Sequence, residues 1–145
     1  MIKIICLGKI KEKYLNDLIS DYKDRISKYH KIEMIELKDT NNLEEEGVNI
    51  LKHINNQDYV ISLDIDGKEF DSVSFSKVLD NAFMTHGTIT FIIGSSNGLD
   101  ENVKKKSNLR LSFSKLTFPH GLFRGILLEQ VYRSFKILNN ETYHK

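Results

Sequence analysis

The sequence predicts a single α/β domain in which a mainly parallel sheet is flanked by helices. Short runs rich in β-branched residues alternate with longer amphipathic segments, as they do where helices join parallel strands. The chain has 145 residues, of which 40% are hydrophobic, so it can bury one core and is too short for two. It contains no internal repeat and no Pro/Ser-rich linker, so the predicted domain spans residues 1–145.

Five strands and five helices alternate along the chain in this interpretation. The short apolar runs predict strands at Ile2–Leu7, Ile32–Leu37, Tyr59–Asp64, Thr88–Ile93 and Arg110–Phe113. The longer segments between and after them predict helices at Glu12–Tyr29, Leu43–Asn55, Ser72–Thr85, Leu99–Ser107 and Pro119–Leu138. The only proline, Pro119, opens the last helix, where its fixed φ and its missing N–H cost nothing.

The last predicted helix has an apolar surface wider than one sheet can cover. Five of its residues form a stripe at helical spacing, namely Phe123, Leu127, Val131, Phe135 and Leu138. Four others widen that stripe, namely Leu122, Ile126, Leu128 and Tyr132. The helix is therefore either buried thoroughly within its own chain or packed partly against a second subunit, as in a homodimer.

Composition excludes some classes of protein and leaves the partner open. The chain has 21 Lys and Arg against 20 Asp and Glu, so nucleic-acid contacts must come from local clusters. Its only cysteine, Cys6, lies in an apolar run and is expected to be a small buried residue. The apolar runs fall short of the ~20 residues that span a bilayer, and no signal peptide is recognisable, so we expect a cytoplasmic protein without membrane contact.

The first candidate for chemistry is Phe91–Leu99, where a predicted strand runs into a glycine-bracketed loop and then a helix. Ligands of open α/β sheets bind beyond the carboxyl ends of strands, although a plain tight turn is the alternative. The loop lacks the features of a P-loop or a dinucleotide fingerprint. Its Gly94, Ser96 and Gly98 match G-x-S-x-G, so a serine hydrolase using Ser96 is a further, weaker alternative in so short a chain.

The second candidate is Leu111–His120, where a strand ends and the chain bends without glycine before the last helix. Such a bend presents free backbone groups that can form hydrogen bonds with the edge of an adenine ring. The side chains of Leu116 and Phe118 would cover the two faces of that ring. The alternative is an ordinary loop that ends in a helix cap at Thr117. A third segment contains Asp64 and Asp66, which could hold Mg²⁺ but are better explained as solvated loop acids, and no other spacing indicates a metal site.

The fourth candidate is the C-terminal Tyr143-His144-Lys145. A frayed end is the ordinary explanation of such a terminus. The three side chains also combine a stacking ring, a titratable imidazole and a cation, which would suit an unstacked RNA base.

Several of these motifs, in this order, resemble one family. They are Leu7-Gly8-Lys9, Leu63-Asp64-Ile65, Ile93-Gly94 with Ser96-Asn97-Gly98, Leu111–Lys115 with Thr117–His120, Glu129–Arg133 and Tyr143–Lys145. Together they resemble the SPOUT-class 23S rRNA (pseudouridine-N3)-methyltransferases named ribosomal large subunit methyltransferase H. The resemblance implies a SPOUT-type α/β fold with a C-terminal trefoil knot, a homodimer, the cofactor S-adenosylmethionine, and a pseudouridine of 23S rRNA in the ribosome as substrate.

The resemblance also implies site residues. The cofactor contacts would be Leu63, Gly94, Phe113, Ser114, Lys115, Leu116, Thr117 and Phe118. Three features depart from the family pattern: Ser95 replaces a second glycine, the segment Lys38–Leu43 is short, and Gly121 replaces a larger residue.

Transfer of a methyl group to N3 requires loss of the imide proton, which points to specific catalytic candidates. His120 or His144 could act as the base, and Arg124 could stabilise negative charge on the base carbonyls. The residues expected to bind RNA are Arg124, Arg133, Tyr143, His144 and Lys145. The alternative outside enzymology is a noncatalytic, ribosome-associated RNA-binding protein with the same fold.

Overall fold

The computed structural model describes all 145 residues and contains five strands and five helices in strict alternation. The strands are β1 (Ile2–Leu7), β2 (Ile32–Leu37), β3 (Tyr59–Glu69), β4 (Ile89–Ile93) and β5 (Leu109–Ser112). The helices are α1 (Lys13–Ser27), α2 (Leu43–Leu51), α3 (Ser72–Thr85), α4 (Glu101–Lys106) and α5 (His120–Leu138). The strands form one sheet in the order β2-β1-β4-β3-β5, and every pairing is parallel. The predicted α/β class with a parallel sheet is confirmed.

The sheet is covered on both faces, which explains why every residue of β1 and β4 is buried. Ile4 and Cys6 of β1 face the larger core, which also holds residues of α1, α3 and α5. Ile5 and Leu7 point to the opposite face and pack with residues of α2 and α4. The expectation that Cys6 is a buried residue is confirmed, and burial raises the pKa of its thiol to about 11.

Two elements, β3 and α2, end several residues away from their predicted bounds, and the bounds of the other elements differ by two residues at most. β3 continues to Glu69, because the strand resumes after a four-residue excursion over residues 64–67 and pairs with Leu111 a second time. α2 ends at Leu51 rather than Asn55, and the turn that follows it contacts the buried Lys3. The ammonium group of Lys3 donates to the His53 carbonyl at 2.7 Å and pairs with the Asp58 carboxylate at 2.8 Å.

α5 lies between α1 and α3, and this position covers most of its wide apolar surface. Gly125 permits close approach to α1, since a Cβ atom there would lie 2.6 Å from Cδ2 of Leu18. Leu127, Leu128 and Val131 are fully buried, whereas Leu122 remains 38% exposed. Burial within the chain therefore accounts for most of the stripe, and the second subunit stays a prediction.

No helix of the protein is long and apolar enough to cross a membrane.

Candidate functional site

A cleft of about 750 Å³ lies beyond the carboxyl ends of β3, β4 and β5. Because the strands are parallel, these three ends meet at one edge of the sheet, where open α/β sheets bind their ligands. The walls come from the excursion within β3, from residues 94–99, which we call the glycine loop, and from residues 113–119, which we call the β5–α5 loop. The cleft is therefore built by the segments that sequence reasoning selected.

Seven of the eight predicted cofactor positions line this cleft. They are Leu63, Gly94, Phe113, Ser114, Leu116, Thr117 and Phe118. The eighth, Lys115, is exposed and does not line the cleft. His120 also lines it, at the start of α5.

The β5–α5 loop is held by its own serines and leaves backbone groups free. Ser112 donates its hydroxyl to the Ser114 carbonyl at 3.1 Å, and the Leu116 amide donates to Ser114 Oγ at 3.0 Å. The amides of residues 115, 117 and 118 donate to no acceptor in the protein. A helix cap at Thr117 is not formed, because α5 begins after Pro119 with no side-chain cap. The loop therefore offers free N–H groups to a ligand.

Aromatic side chains hold the wall of the cleft in place. The Phe113 ring lies 5.3 Å from that of Phe123 and 6.1 Å from that of Phe75, and Phe118 stacks on Phe123 at 6.0 Å. Leu116, by contrast, is 72% exposed at the rim of the cleft. An apolar side chain in that position is available to cover a bound ring.

The glycine loop is closed tightly on itself. The Gly98 amide donates to the Ser95 carbonyl at 2.9 Å, and Gly98 has a φ of +91°. A Cβ atom on Gly94 would collide with the Gly98 carbonyl oxygen. Glycine at position 94 is thus required by loop closure, in addition to any approach of a ligand.

The loop does not have the arrangement of a serine hydrolase. The Ser96 side chain is exposed and forms no hydrogen bond. The nearby carboxylate of Asp100 caps α4 instead, accepting from the Asn102 amide at 3.0 Å. No histidine forms a hydrogen bond with Ser96, so the nucleophile–base contact of a serine hydrolase is not formed.

The prediction that Asp64 is a solvated acid is wrong, because its carboxylate is buried and hydrogen-bonded. Its side chain is only 6% exposed, and it accepts from Arg110 Nε at 2.9 Å and from the Asp66 amide at 3.0 Å. Burial alone would raise the pKa of Asp64, but these hydrogen bonds and the nearby Lys104 outweigh it and lower the pKa. Asp66 is exposed at the cleft rim, as expected. No group of three or more His, Cys, Asp or Glu residues could hold a metal ion.

A second cleft of about 550 Å³ adjoins the first. The two share a wall made by Leu111, Ser112, Phe113 and Phe118. The far side of the second cleft comes from residues 70–73 at the start of α3 and from His144. The predicted histidines therefore stand in different clefts, with His120 in the first and His144 in the second.

No motif in the sequence marked the wall of this second cleft that lies at the start of α3. Its polar wall includes Ser72, whose hydroxyl donates to the Gln130 side-chain oxygen at 2.8 Å. Ser72 and Gln130 lie 58 positions apart on different helices, so no spacing rule could pair them. The only available signal was Asp71, a helix N-cap whose carboxylate accepts from the Ser74 amide at 2.7 Å.

Within the C-terminal tail, Tyr143 packs against α5, whereas the side chains of His144 and Lys145 are exposed. The Tyr143 hydroxyl donates to Glu129 Oε1 at 3.2 Å, and its ring meets that of Tyr132 edge-on at 5.0 Å. The guanidinium of Arg133 lies 4.8 Å from the Tyr143 ring centre. Burial and the neighbouring Tyr22 and Glu129 raise the pKa of Tyr143. The Tyr143 ring is thus already occupied by contacts within its own chain.

Arg133 also determines which nitrogen of His144 carries the proton. Arg133 Nη1 lies 3.0 Å from His144 Nδ1, and arginine can only donate a hydrogen bond. Nδ1 must therefore accept, which leaves the proton of the neutral ring on Nε2. In this arrangement His144 can donate a hydrogen bond from Nε2. The ring of His120 has no arginine or other side chain hydrogen-bonded to it.

Arg124 does not reach either cleft. Its side chain is 2% exposed, with Nη2 donating to the carbonyls of Leu7 and Gly8 at 2.8 Å and Nη1 donating to Glu36 at 2.8 Å. Arg124 therefore ties α5 to the ends of β1 and β2. Lys145 is exposed at the chain end.

Comparison with known proteins decides the family. The model described as "Predicted SPOUT methyltransferase" matches residues 1–144. The chain belongs to the SPOUT methyltransferase family. It is 50% identical to the ribosomal RNA large subunit methyltransferase H of Clostridium botulinum (strain 657 / Type Ba4), with 99% of each chain covered. It is 45% identical to the protein of the same name from Caldicellulosiruptor saccharolyticus, with 100% of each covered. The resemblance found in the sequence is confirmed.

Two solved structures share the fold at low sequence identity. The SpoU methyltransferase AviRb from Streptomyces viridochromogenes has a TM-score of 0.52 and 9% identity, covering 98% of this chain and 62% of its own. The TrmH/SpoU tRNA modifying enzyme of A. aeolicus has a TM-score of 0.50 and 10% identity, covering 95% of this chain and 77% of its own.

Proposed function

We propose that this SPOUT methyltransferase transfers a methyl group from S-adenosylmethionine to N3 of a pseudouridine in 23S rRNA. The observation that carries the proposal is the cleft at the carboxyl edge of the sheet, lined by seven of the eight expected cofactor positions. The names of the relatives, which refer to the large subunit RNA, support the substrate class. A structure of AviRb was determined in complex with AdoMet, which supports the cofactor.

The residues of the first cleft fit S-adenosylmethionine. A volume of about 750 Å³ is in the range of small-molecule sites. The free amides of Thr117 and Phe118, which line the cleft, would meet the acceptors of the adenine edge. Leu63 and Leu116 would cover the faces of the ring, and Gly94 would border the cofactor with its backbone.

The second cleft would receive the acceptor base, so that the base and the cofactor meet at the residues that line both clefts. Bound S-adenosylmethionine supplies an activated methyl group, and most of the rate can come from holding the two reactants in line. His144 would donate from Nε2 to a carbonyl of the base, and His120 would remove the N3 proton. Arg133 and Tyr143 would position His144, and Lys145 would contact a phosphate.

Leu116 gives a direct test of the cofactor cleft. Leu116→Ala should weaken S-adenosylmethionine binding by about 1–2 kcal/mol, or 5- to 30-fold, because less apolar surface covers the ligand. Titration calorimetry measures this. The matched control is Met84→Ala, since Met84 is 73% exposed and lies outside the cleft. Equal affinity in wild type and Leu116→Ala would place the cofactor elsewhere.

We further propose that the chain forms a trefoil knot, assembles as a homodimer and works in the cytoplasm, where its substrate is found. The exposed Leu122 on α5 supports a subunit contact at this helix. Sedimentation equilibrium at micromolar concentration should give twice the mass of the chain. Leu122→Asp should shift the distribution towards the monomer, and a wild-type monomer would refute the dimer.

The function itself is tested by mapping modified nucleotides in 23S rRNA by mass spectrometry. RNA from a strain lacking this gene should lose one methylated pseudouridine, and the purified protein with S-adenosylmethionine should restore it. A protein that binds RNA but not the cofactor would instead be the noncatalytic RNA-binding protein.

A further inference from the structure

Ser95 in the glycine loop and Thr40, in the segment before α2, are joined by one buried carboxylate, that of Glu46. Ser95 Oγ donates to Glu46 Oε1 at 3.1 Å, and the Thr40 amide donates to Glu46 Oε2 at 3.0 Å. Glu46 is 2% exposed and Ser95 is 6% exposed. One side chain of α2 thus connects the segment before that helix to the glycine loop.

The hydrogen bonds continue from Ser95 into the loop. Ser95 Oγ, while donating to Glu46, accepts from the Asn97 amide at 3.3 Å, and the Gly98 amide donates to the Ser95 carbonyl. A hydroxyl has a single proton, so donation to Glu46 directs its lone pairs towards Asn97. The carboxylate therefore influences the backbone at the tip of the loop.

α2 also contacts the other end of this loop. A Cβ atom on Gly47 would lie 2.6 Å from Cβ of Asp100, which follows the glycine loop. The two adjacent residues Glu46 and Gly47 therefore hold α2 against both ends of the loop.

The partners of Glu46 are a hydroxyl and an amide, with no cation among them. Burying an unpaired carboxylate is costly, and here the hydrogen bonds and the N-terminal end of α2 offset that cost. A carboxylate in this position has no evident advantage for packing. Its two oxygens contact the Ser95 hydroxyl and the Thr40 amide.

We infer that Glu46 is a positioning residue that holds the glycine loop, through Ser95, in the shape that binds the cofactor. The inference rests on the proposed function for the identity of that cofactor. Without Glu46 the loop occupies other conformations, and the apparent Kd rises in inverse proportion to the remaining population of the binding-competent one.

The test compares Glu46→Gln with Glu44→Gln, which removes the same charge from the same helical turn at an exposed position. Glu46→Gln should weaken S-adenosylmethionine binding about tenfold, the effect of losing one charge-assisted hydrogen bond. Glu44→Gln should bind like wild type. Ser95→Ala should show the same loss of affinity. Adding Glu46→Gln to Ser95→Ala should weaken binding little further, because Glu46 acts on the loop through Ser95.

A second measurement needs no cofactor. Amide hydrogen exchange at Asn97 and Gly98 in the free protein should be faster in Glu46→Gln and Ser95→Ala than in Glu44→Gln. Exchange in the interior of β1 should be unchanged, which separates a local effect from general destabilisation. If Glu46→Gln does not fold, Ser95→Ala with the exchange measurement decides the question.

The outcomes separate the two proposals. A wild-type protein without affinity for S-adenosylmethionine refutes the proposed function, and the exchange data alone then test the role of Glu46. Wild-type binding with unchanged affinity and exchange in the folded Glu46→Gln or Ser95→Ala protein overturns the inference. Fully additive losses in the double variant overturn it as well.

Discussion

His144→Ala should lower the single-turnover rate of methyl transfer by about 10²–10³-fold at saturating cofactor and RNA, the effect of removing a hydrogen-bond donor from an oxyanion site. Arg133 holds Nδ1 of the imidazole at 3.0 Å, so the Nε2 proton is available to the acceptor base. The affinity for S-adenosylmethionine should be unchanged, because His144 lines only the second cleft. Rapid-quench kinetics with radiolabelled cofactor measures the rate.

Two further variants determine what His144 contributes. His144→Gln keeps an N–H donor and should retain more activity than His144→Ala, whereas a catalytic base would be lost equally in both. Lys145→Ala should alter mainly the salt dependence of RNA binding. A full single-turnover rate in His144→Ala would remove the residue from the chemistry and leave His120 as the candidate.

Asp58→Asn should destabilise the fold by about 3–5 kcal/mol, because it leaves the ammonium group of Lys3 buried without its counterion. Both side chains are at most 5% exposed, and the pair lies 2.8 Å apart. Thr90 also donates its hydroxyl to Asp58, at 3.0 Å. For a chain of this size the loss corresponds to a fall in melting temperature of about 10 °C or more. Calorimetry or urea unfolding measures it.

The matched control for this pair is exposed. Asp17 pairs with Lys13 at 2.7 Å on α1, but the side chains are 64% and 90% exposed, so Asp17→Asn should leave the melting temperature nearly unchanged. Lys3→Met combined with Asp58→Asn should lose less than the sum of the single changes, since neither charge is then left alone. A small effect of Asp58→Asn alone would show that water reaches the pair.

The same carboxylate makes stability depend on pH in the acid range. Burial would raise the pKa of Asp58, but hydrogen bonds from Lys3, the Asn55 amide and Thr90 together lower it below its ordinary value of 3.8. The stabilisation is therefore complete above the pKa of the unfolded chain and is lost as pH falls through the lower pKa of the folded state. Asp58→Asn should show a weaker dependence in this range.

Local patterns predicted most elements because their signals are contiguous in the chain. The bounds of β1, β2 and α3 agree with those predicted, since each is an apolar run or helical period with clear ends. The extension of β3 was missed because Asp66-Gly67 has the composition of a turn, and only the partner strand shows that pairing resumes at Lys68. The information that extends β3 is therefore a contact between strands distant in sequence, which local patterns do not contain.

Some residues of the candidate site could likewise be predicted from local sequence, and others could not. The loop residues at the carboxyl ends of strands could be selected because parallel strands bring such ends together, and they line the first cleft. Arg124 was expected at the acceptor base and is instead buried against the Leu7 and Gly8 carbonyls. The hydrogen bond between Glu46 and Ser95 joins residues 49 positions apart, and no periodicity predicts it.

The wall common to the two clefts has a thermodynamic consequence. Phe113 and Phe118 face both spaces, so an occupant of one cleft that shifts these rings changes the free energy of occupying the other. Such coupling is reciprocal: whatever factor the cofactor contributes to RNA affinity, RNA contributes to cofactor affinity. If one substrate must bind before the other, the positions of these two aromatic rings would determine which binds first.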